Sequence, residues 1–165
     1  MMKKIHNSSY SSKEKCHHLF IGGCSMCRNK LIPAVYIVIE QDGHQLYLRR
    51  KNTGYEDGKL SLPAGHIEKG ETPYQATMRE SFEELNIIVT PEALEIKHVC
   101  YRYEEKNRID YYLKVKNWTG NIINHEPHKC SELIWLHRPN DEVIDVVKQC
   151  IQHIHQNILY SDSKN

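Results

Sequence analysis

Residues 72–86 narrow the folds open to this chain more than any other segment, because both ends of a helix are written into them. Thr72 is a good N-cap, Pro73 suits the first helical position, and Gln75 completes a capping box with Thr72. At the far end Asn86 tolerates the left-handed conformation that closes a helix. On a wheel of about 100° per residue, Glu80, Glu83 and Glu84 share about one third of the circumference, and Tyr74, Met78, Phe82 and Leu85 gather opposite. One face is therefore expected to pack on a core while the other presents three carboxylates a turn apart. Like charges at that spacing repel, and Arg79 offsets only part of the repulsion. A divalent cation is the natural partner, since hard Mg²⁺ takes carboxylate oxygens and keeps positions open for water and phosphate. For this helix alone, a solvated face of glutamates is the commoner arrangement; the segment before it changes the balance.

Around the helix the pattern is mostly β. Residues 32–39 are β-branched or aromatic and read as a buried strand, and Asp42-Gly43 is a hairpin-turn signal leading to a second strand at 45–50. A polar loop, 51–59, ends in the apolar residues 60–62 and then Pro63-Ala64-Gly65. After the helix, 87–89 reads as a short strand stopped by Pro91, strands near 95–103 and 109–116 flank a turn, and another lies at 133–136. A last amphipathic helix is expected over 141–159, with apolar residues at 143, 144, 147, 151, 154 and 158, and a tail at 161–165. The order implies an α/β (α+β) domain over 31–160 with one helix inserted in a largely β scaffold. Residues 1–30 are polar and irregular and are expected to be a poorly ordered extension.

The stretch preceding the helix makes the pattern specific. Gly65-His66-Ile67-Glu68-Lys69-Gly70-Glu71 is followed, after seven intervening residues, by Arg79-Glu80-Ser81-Phe82-Glu83-Glu84-Leu85-Asn86-Ile87. This resembles the signature box of the Nudix hydrolase family, MutT-like enzymes of bacterial type, at Gly65, Glu71, Arg79, Glu80, Glu83, Glu84 and Ile87. Two positions depart: Ser81 stands where an aliphatic residue is usual, and Asn86 where glycine is usual. The resemblance implies a mixed sheet sandwiched between helices. It also implies hydrolysis of a nucleoside diphosphate linked to another group, with Mg²⁺ or Mn²⁺. By position, Glu80, Glu83 and Glu84 would be metal ligands, joined by the Gly65 carbonyl. Glu71 and Arg79 would hold one another and so fix the loop against the helix. The general base can sit outside the box, and Glu126 is the candidate, with Glu104 and Glu105 weaker ones. Family members are often dimers, so a homodimer is a further implication.

A nucleoside triphosphate, oxidised or noncanonical purine nucleotides included, is the expected substrate. The rivals are ADP-ribose or another nucleoside diphosphate sugar, and a non-catalytic nucleotide-binding module. Arg49, Arg50 and Lys51 can supply phosphate contacts and Tyr55 can stack on a base, although Arg49 and Arg50 also read as a solvated pair. Trp135, inside an apolar strand, is expected in the core, and Trp118 is open between packing and stacking.

With a formal net charge of +1, the chain shows no bulk attraction for nucleic acid polymer or membrane, so a charged-ligand site must be built locally. The longest apolar run is too short to span a bilayer. The cysteines read as free thiols in a reducing cytoplasm. Cys16, His17, His18, Cys24 and Cys27 could supply a Cys₃His zinc site, but no second Cys-x-x-Cys pair accompanies them and an unstructured extension is preferred. Met26 is an alternative start, after Gly22-Gly23, which a ribosome-binding sequence can encode.

Overall fold

The computed structural model describes residues 30–103 and 106–164. The Cys16–Cys27 cluster, Met26, Glu104 and Glu105 lie outside the described residues.

β1 (Ile32–Gln41) turns through Asp42 and Gly43 into β2 (His44–Arg50). Both turn residues have positive φ, 50° and 73°, the geometry of a two-residue hairpin that matches strand twist. β3 (Leu60–Ser61) and β4 (Ala64–His66) precede α1 (Pro73–Leu85). A single 3₁₀ turn leads into β5 (Leu94–Tyr103), followed by β6 (Arg108–Val115), β7 (Cys130–Leu136), α2 (Asp145–His155) and β8 (Tyr160–Lys164). The sheet runs β3-β2-β1-β6-β5-β8, with β4 added on β1 and β7 on β2.

β1 organises the domain. It lies parallel to β6 along 32–39, while its other edge is taken by β4 at 34–36 and by β2 only at 40–41. Successive side chains of a strand point to opposite faces. Ala34, Tyr36 and Val38 enter the core that contains Val147, Cys150 and Ile151 of α2. Val35, Ile37 and Ile39 enter the other core, with Ala76 and Leu85 of α1. A strand buried on both faces explains the continuous apolar run seen in the sequence.

The capping box of α1 forms as expected: the Gln75 N–H donates to Thr72 Oγ1 (3.2 Å) and the Thr72 N–H to Gln75 Oε1 (2.9 Å). Asn86 closes the helix at φ 57°, ψ 34°. The buried face, however, is rotated from the one expected. Ala76, Thr77, Glu80, Ser81 and Leu85 face inward, whereas Phe82 is 51 % exposed and packs edge-on to His125. Tyr74 and Met78 are partly buried against the α1-side core.

Three other expectations are corrected. α2 begins at Asp145 rather than 141, because Leu60 and Val143 form a bridge: the Leu60 N–H donates to the Glu142 carbonyl (2.9 Å) and Ile144 to the Leu60 carbonyl (3.0 Å). It ends at His155, two residues before the left-handed Asn157. Residues 161–164 of the expected tail, together with Tyr160, pair in parallel with β5 from Val99 to Tyr103. Trp135 is exposed, while Trp118 packs on the α1-side core.

Ser81 is fully buried, and its hydroxyl has no hydrogen-bond partner. Ser81→Ala removes that orphaned group and raises helix propensity, so it should stabilise the domain by about 1 kcal/mol. Urea unfolding checks this; a lower midpoint at unchanged slope would contradict it.

Candidate active site

Arg79 is the centre of the arrangement between α1 and the loop before it. Its Nε and Nη2 donate to the two Glu71 oxygens (2.8 and 3.0 Å), a bidentate pair, and Nη2 also donates to the His66 carbonyl (2.9 Å). Nη1 donates to Glu80 Oε1 (2.6 Å) and Glu83 Oε2 (3.0 Å). Glu71 also accepts the Glu68 N–H (3.0 Å), and Arg79 holds its carboxyl below the usual range. One guanidinium thus ties the 66–71 loop to the helix and takes part of the charge of Glu80 and Glu83.

Glu84, one turn after Glu80, receives the Ala64 N–H from β4 (2.9 Å). Glu126 is brought in by the chain after residue 120. The His125 N–H donates to the Glu84 carbonyl (3.0 Å) and Ile123 to the Leu85 carbonyl (3.1 Å). Those bonds satisfy carbonyls that the helix end leaves open. Glu126 and its partner Lys129 (2.9 Å) then line a cavity of about 260 Å³ together with Glu80, Glu84, Gly65 and Arg50. Glu83 stands at the exposed side of the helix, held by Arg79.

Burial, followed by the charges of Glu80 and Glu126, pushes the Glu84 carboxyl up to about 8, with the Ala64 N–H pulling the other way. Glu80 is also raised, by burial first, against the pull of Arg79. Both shifts express one fact: Glu80, Glu84 and Glu126 share a confined space, where Arg79 and Lys129 pair with Glu80 and Glu126 while Glu84 accepts a backbone N–H. Hard oxygen donors in that setting fit Mg²⁺ or Mn²⁺. Gly65 belongs to the same fit, because a Cβ there would lie 1.7 Å from Glu80 Oε1. Only glycine leaves the carboxylate its place.

A second cavity of about 390 Å³ adjoins the first, sharing Arg50, Thr53, Ala64, Gly65 and His66. Its remaining wall includes Tyr36, Tyr55, Arg102 and Arg108. Beneath it the buried Asp110 pairs with Arg102 (3.1 Å) and Arg108 (3.4 Å). The 51–59 loop is tied down from within: Thr53 Oγ1 donates to Asp57 Oδ1 (2.6 Å), and Arg50 donates to the Tyr55 carbonyl and to Thr53 Oγ1 (both 2.8 Å).

Gly65, Glu80, Glu84, Glu126, Arg50 and Tyr55 thus gather at two adjoining cavities, with Glu71, Arg79 and Glu83 beside them. Arg49 is not among them. It lines neither cavity and is engaged by Glu132, Glu142 and the Gly58 carbonyl. Strand alternation explains the split, since adjacent residues of β2 face opposite sides. Sequence reasoning missed Lys129, Arg102, Arg108 and His66. The alternating Arg108-x-Asp110 and Arg102 were the available signal, but cross-strand register was needed to join them.

The NUDIX domain family pattern matches residues 30–146. The chain is similar to an 8-oxo-dGTP diphosphatase of Escherichia coli (strain K12), 33 % identical over 92 residues, 55 % of this chain and 70 % of that one. A MutT NUDIX hydrolase structure from Burkholderia pseudomallei superposes with TM-score 0.67 at 20 % identity, covering 75 % of this chain and 98 % of the other. A bifunctional NMN adenylyltransferase/ADP ribose pyrophosphatase of Francisella tularensis, solved with AMP and Mn ion, gives 0.63 at 20 % identity, over 80 % of this chain and 43 % of that one.

Two predictions follow from this geometry. Gly65→Ala should displace the Glu80 carboxylate and lower kcat/KM for pyrophosphate cleavage on the order of 100-fold, which steady-state kinetics would measure against an unchanged thermal midpoint. For the metal-free protein, the folded state holds the Glu84 proton more tightly than the unfolded chain. That contribution is fully present below the ordinary glutamate range and is lost as pH rises towards about 8. Unfolding midpoints should fall across that window, and Glu84→Gln should flatten the fall; parallel profiles would rule out this carboxyl as the source.

Proposed function

The chain belongs to the NUDIX domain family and is a MutT-like Nudix phosphoanhydride hydrolase, and from that premise we propose that it is a metal-dependent pyrophosphohydrolase of nucleoside triphosphates, noncanonical or oxidised purine nucleotides among them. The observation that carries this reading is the convergence of Glu80, Glu84 and Glu126 on one cavity beside Gly65, continuous with a second cavity walled by arginines and tyrosines.

In this reading Glu80 and Glu84, with Glu83 at the exposed side and the Gly65 carbonyl, hold Mg²⁺ or Mn²⁺. When bound, the cation would screen the phosphate oxygens and lower the pKa of a coordinated water. The protein's own groups do the rest. Arg50 stands at the junction of the two cavities and is placed to take a phosphate oxygen. Tyr55, with the Arg50 guanidinium 5.5 Å from its ring centre, offers a face for a base, and the larger cavity takes the nucleoside. Glu126 is the group proposed to accept the proton of the attacking water at a carboxylate oxygen, with Lys129 holding it in place. Arg79 and Glu71 position the glutamates without touching substrate.

The substrate proposal leans on the Escherichia coli relative, named for 8-oxo-dGTP, at 33 % identity. The Francisella tularensis neighbour's name includes ADP ribose pyrophosphatase, which keeps a nucleoside diphosphate sugar as the second reading. No helix among the described residues is long and apolar enough to cross a membrane.

A phosphate- and pyrophosphate-release panel with Mg²⁺ covers deoxynucleoside triphosphates, 8-oxo-dGTP and ADP-ribose. Glu83→Gln and Glu84→Gln should each lower kcat/KM by about 100-fold or more. Glu126→Gln should lower kcat with metal affinity retained. Full turnover in both helix variants would remove the metal-ligand assignment, and nucleotide binding without turnover of any panel member would favour a binding module.

A further inference from the structure

His98, Cys100 and Cys150 form a second chemical cluster, on the α2 side of the sheet, and none of them lines either cavity. All three are sealed from solvent, at 0, 1 and 1 % exposure. Their ligating atoms lie within 4.8 Å of one another. In a tetrahedral zinc site with S and N ligands, the donor atoms stand about 3.3–3.8 Å apart, so a small contraction reaches that geometry.

The local spacing suits a metal. His98 and Cys100 are two apart on β5 and share a face, and Cys150 and His153 are three apart on α2 and share another. His98 is held in the tautomer a metal requires. Its Nδ1 faces the Ile158 carbonyl at 2.8 Å, an acceptor only, so Nδ1 carries the proton and Nε2 presents its lone pair. Metal-binding histidines are commonly oriented in this way by a backbone carbonyl. Here Nε2 meets the hydroxyl of Ser161 at 2.9 Å, from β8. The ring of His153 lies 5.2 Å from that of His98, and its Nδ1 is buried without a hydrogen-bond partner. That orphaned nitrogen lies outside the close group of the other three ligating atoms, so His153 joins a metal there by turning its ring inward.

We propose that His98 Nε2, released from the Ser161 hydroxyl, and the Cys100 and Cys150 thiolates, with His153 turned into the fourth position, form a structural zinc site that ties α2 to β5. Binding releases the two thiol protons to solvent and requires no redox step.

Cobalt(II) added to the reduced full-length protein tests this, with Cys16→Ser, Cys24→Ser and Cys27→Ser introduced so that the N-terminal thiols contribute nothing. Excess Mg²⁺ is present to occupy the carboxylates. One equivalent of cobalt should produce thiolate-to-cobalt charge transfer and the visible bands of tetrahedral cobalt. Zinc should abolish both and raise the thermal midpoint. Cys100→Ser and Cys150→Ser should each remove the charge-transfer band. His153→Gln, at a partly exposed position that folding tolerates, should weaken cobalt binding about tenfold. A folded, reduced protein with Cys100 and Cys150 intact that gives no charge-transfer band would overturn the site, whatever becomes of the serine variants. A band that survives in both serine variants would overturn it as well, and unchanged affinity in His153→Gln would remove the fourth ligand. Nucleotide hydrolysis plays no part in the readout, so the outcome is independent of the catalytic reading.

Discussion

Placing acidic side chains a turn apart and then enclosing them is unfavourable, and the shared guanidinium of Arg79 is what makes the enclosure possible here. It binds Glu71, Glu80, Glu83 and the His66 carbonyl together. The chain between β4 and α1 cannot swing away without breaking several charge-assisted bonds at once. Its charge is nevertheless spent on the near side of the helix. Glu84 receives a backbone N–H instead of a cation, and its proton is correspondingly hard to remove. The site therefore combines a rigid, neutralised support with a pocket in which the enclosed Glu84 accepts a backbone N–H in place of a paired cation, an electrostatic setting suited to a divalent ion.

The sheet puts that pocket next to room for a substrate. β4 and β2 take the same edge of β1 at different heights, and Arg50 at the end of β2 reaches both cavities. The 123–126 segment, hydrogen-bonded to the carbonyl end of α1, supplies the third carboxylate from a part of the chain some forty residues after Glu84. Helix, strand edge and loop each bring one wall, and Gly65 is where they come close enough to exclude a side chain.

What could be read from the sequence was what is local. Thr72, Pro73, Gln75 and Asn86 fix the ends of α1 by interactions within a few residues, and those forecasts match the structure. The rotation of the helix could not be read in the same way. A wheel ranks faces by hydrophobicity, but here β4 and the site draw Glu80 and Ser81 inward and leave Phe82 outside against His125. Arg49 and Arg50 were treated alike although a strand sends neighbours to opposite sides; only Arg50 reaches the cavities. Glu126 was singled out only as a glutamate in the loop after the central strands, because the bonds that bring it to Glu84 span about forty positions. β8 left no trace, since Tyr160-Ser161-Asp162-Ser163-Lys164 has no alternation of apolar and polar residues and is held by backbone pairing.

That last strand has a role that its composition suits. Without it, β5 would end the sheet as a ten-residue row of unpaired N–H and C=O groups, open to addition of a strand from another molecule. β8 covers half of that row with five residues rich in serine and charge. A short, polar outermost strand is a poor template for further pairing. The C-terminal residues thereby act as a selvedge that keeps one copy of the sheet from growing into the next.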